Sequence, residues 1–469
     1  MRVVGPCRSR GKDIEFAMRY QDHTQGSARP GGGRARSRWW AVGLAGVTGL
    51  ALSTVGVAAS PAADAVGRTL TASDDHSDDR GKHDDKGKGS EKKSTGIPVP
   101  CDADALIAAI TLANARGGAM LDLAKDCTYL LTFDIDGAGL PMIVTPITLN
   151  GGKHTTIERA AAVDPFRIFT VGVGGDLTLN KLTITGGQTD DEDGGGILVN
   201  AGGELTTNHS TITRNIASGG LNSGGGIANF GTTRVNYSTV DRNTAAEAGG
   251  GIYSTGLLEI VKSHIDNNTS GDGNGGGVSA LNSTVTVKGG SISGNQAFSG
   301  AGVLLSTSIG TVTGTKITGN TSSGSGGGIR AGVGSQLTMR KAELADNTAA
   351  AIGGGLFVSG TEEGESFATI EYSVIKNNVA STSGGGIFTQ GQTVLRHTKV
   401  IGNQADLDGG IYNEGTTSLF ATKVVENIAT APAGGIYNEN GTVNLNTATG
   451  TIVIKNRPNN CVNVPGCAG

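Results

Sequence analysis

The sequence predicts an all-β solenoid, a right-handed parallel β-helix of roughly 12 coils with a short N-terminal capping helix. Three observations predict it: glycine at a fixed period, a recurrent aliphatic-x-x-Asn signature, and apolar–polar alternation between the two. Gly makes up 79 of the 469 residues and aromatics only 4%, whereas Gly ordinarily supplies about 7%. Such a mixture lacks the large side chains that fill an ordinary core. The regular spacing of its Val, Ile and Leu separates it from a disordered chain.

From residue 194 each unit opens on a Gly cluster and an aliphatic residue, as in Gly194-Gly195-Gly196-Ile197, Gly224-Gly225-Gly226-Ile227 and Gly249-Gly250-Gly251-Ile252. The series continues through Val278, Val303, Ile329, Leu356, Ile387 and Ile411 to Ile436, a mean period of about 27 residues. Each unit closes on Asn215, Asn243, Asn268, Asn295, Asn320, Asn347, Asn378, Asn403, Asn427 or Asn456. Stretches such as Leu257-Leu258-Glu259-Ile260-Val261 carry the two-residue period of strands. One such unit cannot bury its own apolar stripe, but a stack makes a continuous core. Stacking at about 4.8 Å turns equivalent residues into columns, so inward Asn side chains can link coil to coil. The Gly clusters suit sharp corners at positive φ.

Before the repeat, Asp102 to Arg116 reads as a short helix, N-capped by Asp102, with Leu106, Ile107 and Ile110 on one face and Gly117-Gly118 ending it. Leu121 to Leu149 reads as short strands broken by Gly and Pro.

The termini and charge point to export. Residues 1–65 read as a signal peptide with a long basic n-region: Arg34, Arg36 and Arg38 precede the apolar run Trp39–Val57, and small-residue cleavage sites follow at Val57-Ala58-Ala59 or Ala63-Asp64-Ala65. Met18 is an alternative start. Residues 66–98 form a charged linker with His76 and His83 among carboxylates, and residues 99–469 form the β-helix domain. Nothing further is expected to hold the protein in a membrane once the signal is cleaved. The net charge is +6 over residues 1–38 and −10 over residues 39–469, which argues against nucleic acid as a partner. Four cysteines remain after cleavage, Cys101, Cys127, Cys461 and Cys467, and their placement favours Cys101–Cys127 and Cys461–Cys467 disulfides.

The Gly-Gly-Gly-Ile openings and Ile-x-x-Asn closings resemble the repeats of bacterial polymorphic outer-membrane-protein families and of secreted right-handed parallel β-helix proteins. The segment from Cys101 to Asn114 resembles the CSLREA-type start of such proteins. The resemblance implies the fold over roughly residues 100–469. For activity it implies adhesins on one hand and polysaccharide-degrading enzymes of pectin-lyase-like fold on the other. Autotransporter members end in a membrane β-barrel, which this chain, ending at Gly469 soon after its last coil, is not expected to share.

Four constellations carry candidate chemistry. The residue after the inward aliphatic should point outward, and in four C-terminal coils it is Phe357, Phe388, Tyr412 and Tyr437, with Ser359, Gln390, Glu414 and Glu439 two positions on. A flat, solvated aromatic row beside polar groups suits an extended sugar chain. Alternatively the rings support the sheet. Glu414 and Glu439 also have the spacing of a retaining carboxylate pair, about 5–5.5 Å. Arg214 and Arg242 beside Asp241 and Asp266 have the residue types of a Ca²⁺-assisted lyase, and equally those of surface ion pairs. The run Asp190-Asp191-Glu192-Asp193 is dense enough in oxygen to hold Ca²⁺, the one cofactor entertained, or is a solvated loop. His154, His209, His264 and His397 lack ligand spacing. Serine-hydrolase, P-loop, dinucleotide and zinc signatures are absent. The leading expectation is a monomeric, secreted, non-catalytic binder of an extracellular polysaccharide or surface. The alternatives are a polysaccharide lyase or glycoside hydrolase, and a structural extracellular component.

Overall fold

The structure is a computed structural model that describes residues 96–361 and 364–468. The signal segment and nearly all of the linker, with Cys7, His76 and His83, lie outside the described residues.

A single coil shows how the sequence folds. Ile252–Ser254 and Leu257–Val261 are strands, and His264–Asp266 and the two-residue strand Thr269–Ser270 follow on two further sides. Gly275-Gly276-Gly277 turns the chain into the next coil, where Val278–Leu281 lies over Ile252–Ser254. Repetition builds four parallel sheets. Sheet A has 14 strands and includes Leu257–Val261; sheet B has 13 and includes His264–Asp266. Sheet C has 10 two-residue strands and includes Thr269–Ser270; sheet D has 12 and includes Ile252–Ser254. The solenoid is right-handed, as crossovers between parallel strands are. Pairing is residue on residue, Leu258 over Val285, Ile260 over Val287 and Ile265 over Ile292, so all three columns are buried. The ten aliphatic residues that follow the Gly clusters are likewise buried.

The inward Asn residues form the expected ladder. Each amide donates to the Oδ1 of the Asn one coil on, at 2.9–3.1 Å from Asn215 to Asn456. The Oδ1 of Asn320 accepts from both the backbone N–H and the amide of Asn295, while its own amide also donates to the Ile292 carbonyl at 3.0 Å. Every polar group of this buried side chain is therefore used. Two other ladders escaped the sequence reading. Outward amides run from Asn236 to Asn208 to Asn180 to Asn150 and end on Asp122, and inward Ser210, Ser238 and Ser263 hydroxyls accept N–H groups from the preceding coil.

The corners explain the Gly clusters. Gly249 has φ +64, and a Cβ on Gly250 would meet the Thr269 carbonyl at 2.3 Å. The first therefore needs left-handed backbone and the second needs no side chain.

The helix α1, Ala103–Ala115, is capped as read, with Asp102 Oδ1 accepting from Ala105 N at 2.8 Å. Its buried residues are Leu106, Ile110 and Ala113, with Ile107 only partly covered. It packs beside the first strand, Ile97–Val99, which takes in two residues assigned above to the linker. Both disulfides are formed as paired above, Cys101–Cys127 with Cα atoms 5.7 Å apart and Cys461–Cys467 at 6.2 Å. No helix of the described residues is long and apolar enough to cross a membrane.

Candidate functional site

Sheet D brings Phe357, Phe388, Tyr412 and Tyr437 into one column, with Arg330 at its N-terminal end. Successive ring centroids lie 5.5, 4.6 and 5.5 Å apart, the first pair edge-on and the other two stacked. The guanidinium of Arg330 sits 5.2 Å over Phe357. One expectation is corrected here. The row points away from the core, but it is not a wet surface: Phe357, Phe388 and Tyr412 are 6%, 5% and 7% exposed. Rings stacked at the coil spacing cover one another, and Ile352 and the half-buried Tyr437 close the cluster. Outward from the sheet is therefore not outward to water.

The polar rim lies beside this apolar base. Glu414 Oε1 accepts from the Tyr412 hydroxyl at 3.1 Å, and its Oε2 accepts from Gln390 Nε2 at 2.9 Å. Glu439 follows one coil on and is exposed. Ser359 is buried. The structure thus brings Tyr412, Tyr437, Glu414 and Glu439 together, with Glu414 held in place by two hydrogen bonds.

A residue the sequence reading missed sits at the same place. Asp408 bridges to Ser383 in the preceding coil and Ala433 in the next. In the preceding coil Ser383 is followed by Gly384 at φ +65 before Gly385-Gly386-Ile387, whereas Asp408 runs directly into Gly409-Gly410-Ile411. The corner is one residue shorter, and Asp408 is fully buried there. Neither carboxyl oxygen makes a well-formed hydrogen bond among the described residues. Burial, reinforced by the like charge of Glu439, pushes its carboxyl up to about 8, with the Ser383 hydroxyl pulling the other way. The signal in the sequence was the acid standing where the bridged coils carry Ile352, Ser383 and Ala433.

The other constellations resolve into local pairs. Arg242 pairs with Asp241 at 2.6 Å, and Asp266 accepts from the Ser293 and Ser291 hydroxyls at 2.6 and 3.2 Å. Arg214 stacks under Arg242 at a left-handed corner, each donating its N–H to the carbonyl of Asp241 or Asp266. In the acidic run, Glu192 pairs with the buried Arg167, Asp193 accepts from Ser223 N at 2.6 Å, and Asp190 accepts from Ser218 Oγ at 2.7 Å. Those three carboxylates clasp a loop, and Asp191 is exposed beside them. No cluster of three or more His, Cys, Asp or Glu side chains suited to a metal occurs among the described residues. A shallow depression of about 360 Å³ lined by Phe133, Asp134, Asp164 and Phe166 lies several coils from the aromatic row.

Two of the four histidines, His209 and His397, share a corner column. At the corner between sheets A and B one left-handed residue per coil donates its backbone N–H to the carbonyl of the last sheet A residue in the next coil. Lys181, His209, Tyr237 and Lys262 occupy it in four consecutive coils; Gly289 and Gly314 follow, then Lys341, Tyr372 and His397. The His209 and Tyr237 rings stack at 5.2 Å and those of Tyr372 and His397 at 4.8 Å. Lys262 and Arg340 lie over the two tyrosines at 5.4 Å. The column was invisible in sequence because its residue types differ at each repeat.

A family model described as "Right handed beta helix region" matches residues 252–429. No curated protein matches the sequence. Among solved structures the chain is similar to the Dettilon tailspike protein, at 13% identity and TM-score 0.39, covering 73% of this chain and 63% of that one. It is similar to the A-module of a mannuronan C-5 epimerase from Azotobacter vinelandii, at 16% identity and TM-score 0.38, covering 70% and 95%. It is also similar to the catalytic domain of a GH87 α-1,3-glucanase solved with nigerose, at 13% identity and TM-score 0.32, covering 79% and 69%. These likenesses are of fold.

Proposed function

We propose that this protein is a secreted, non-catalytic β-helix that binds an extracellular polysaccharide. The observation that carries the reading is the ring-and-carboxylate patch of the C-terminal coils: Tyr437 half-exposed beside the braced Glu414 and the exposed Glu439. The buried rings beneath fix the geometry, and the rim offers a sugar an aromatic face with acceptors for its hydroxyls. A second reading has its own support. Asp408, its carboxyl raised to about 8 beside Glu439, has the character of a proton donor, so a glycoside hydrolase or lyase is the alternative.

The test is a glycan array probed with the full chain, followed by reducing-end and unsaturated-product assays on every glycan retained. Binding without product is the expected outcome. Glu414→Gln should keep affinity within about threefold, since an amide still offers an acceptor. Product formation that Glu414→Gln or Asp408→Asn abolishes, with binding kept, would replace this reading with the enzymatic one.

A further inference from the structure

The corner between sheets A and B differs in charge from the rest of this acidic chain. Three adjacent columns meet there: the last residue of each sheet A strand, the left-handed corner residue, and the first residue of each sheet B strand. From Asn180 to Lys423 they hold nine Lys or Arg, three His and two acids. The two acids are neutralised locally, Glu371 by Arg340 and Arg396 and Glu343 by Lys376. Lys262, Lys316, Lys341, Lys399 and Lys423 are exposed and in no ion pair among the described residues. The residues 39–469 as a whole carry −10, so this edge is a positive ridge on a negative body.

The ridge also carries aromatics more open to solvent than the buried rings of sheet D. Tyr237 and Tyr372 are 49% and 50% exposed, at equivalent corner positions. Each is flanked by a stacked His and an overlying cation. The corner backbone is left-handed, at φ +50 for Tyr237 and +51 for Tyr372. That conformation suits Gly, and Gly289 and Gly314 occupy it in the middle coils. The same left-handed conformation recurs at this corner from Lys181 to Ala421, so the side chains it carries leave the backbone at equivalent points along the stack. Equivalent residues repeat at the coil rise, so the ridge is linear and periodic, like an extended polymer.

We propose that this edge is a binding surface for an acidic polysaccharide, a sugar polymer carrying carboxylate or sulfate groups. The lysines meet the anionic groups, the tyrosines and histidines stack on sugar rings, and the polymer lies along the solenoid axis. The inference rests on the polysaccharide-binding reading but names a different face and the chemical class of the ligand.

The experiment measures binding of the full chain to polygalacturonate, dextran sulfate, neutral dextran and duplex DNA across a salt series. The parent should retain the two acidic polysaccharides at low salt, with affinity falling as salt screens the charges. Lys262→Gln/Lys341→Gln/Lys399→Gln should weaken that binding about tenfold or more and flatten its salt dependence. Tyr237→Ala/Tyr372→Ala should weaken it about fivefold with the salt slope kept. Arg116→Gln/Lys455→Gln/Arg457→Gln, an equal charge change away from the ridge, should leave it unchanged, and matched thermal melts would show that all variants fold. If the control triple weakens binding as much as the ridge triple, attraction is diffuse and the site is refuted. Preference for DNA over both acidic polysaccharides overturns the ligand class. Retention of neutral glycans alone overturns the ridge and leaves the C-terminal patch standing; retention of no glycan at all removes both.

Discussion

Asp408 is the residue whose environment says most. Its side chain is fully buried, without a well-formed hydrogen bond, and Glu439 places a second negative charge nearby. Below about pH 4 the carboxyl is neutral in the folded and unfolded chains alike, and ionisation plays no part in stability. As pH rises the unfolded chain ionises first, while the folded chain holds its proton until about 8. The folded state then binds more protons than the unfolded one, so stability falls with pH across this window and the loss is complete above it. At about 1.4 kcal/mol per unit the loss amounts to several kcal/mol at most, reduced by any relaxation that lets water in. Thermal melts from pH 4.5 to 9 should show the parent losing stability relative to Asp408→Asn, which has no charge to bury. Parallel curves for the two proteins would mean that Asp408 is already ionised or solvated.

At the level of the strand, the aromatic row shows how far sequence can be read. Strand position and register were legible because inward aliphatics and Asn residues recur, and a one-residue slip would turn each of them to the other face. The Asn ladder followed from that register alone. Burial of the outward face did not, because it depends on what the neighbouring coils carry at the same position: Phe388 is covered only because Phe357 and Tyr412 flank it. The same limit hid Asp408, an acid at a corner position whose counterparts Ser383 and Ala433 are buried as well, and the Tyr–His ridge, whose residues share a backbone conformation but no chemistry. The row should therefore behave as a satellite core. Phe388→Ala should destabilise by about 3 kcal/mol, whereas Glu439→Gln, an exposed change on the same face, should stay within about 0.5 kcal/mol. Denaturant unfolding compares the two directly, and equal small effects would restore the picture of a free, solvated row.

The molecule as a whole is a one-dimensional stack, in which each coil touches only its neighbours and the ends need covers. At the N-terminal end α1 lays Leu106, Ile110 and Ala113 against the first coils, tied down by Cys101–Cys127. At the other end Asn460 folds back so that its Oδ1 accepts from Asn456 N at 3.1 Å, supplying from within the same coil the acceptor that a further Asn would have provided. Stability should then be local near the ends and shared in the middle. Ile110→Asp, with the disulfide intact, places a charge in the end cover and should expose the first coils while leaving the later ones closed. Hydrogen exchange should rise across Ala119–Leu123, Thr128–Leu131 and Pro146–Asn150 and stay near the parent's beyond Ile387. Asn320→Ala acts in the middle and leaves the amide and N–H of Asn295 without their acceptor. Orphaned buried groups of this kind cost about 1–3 kcal/mol, and the loss should spread to coils on both sides. If Ile110→Asp raises exchange as much in the last coils as in the first, the stack unfolds as one cooperative unit and the end cover has no local role.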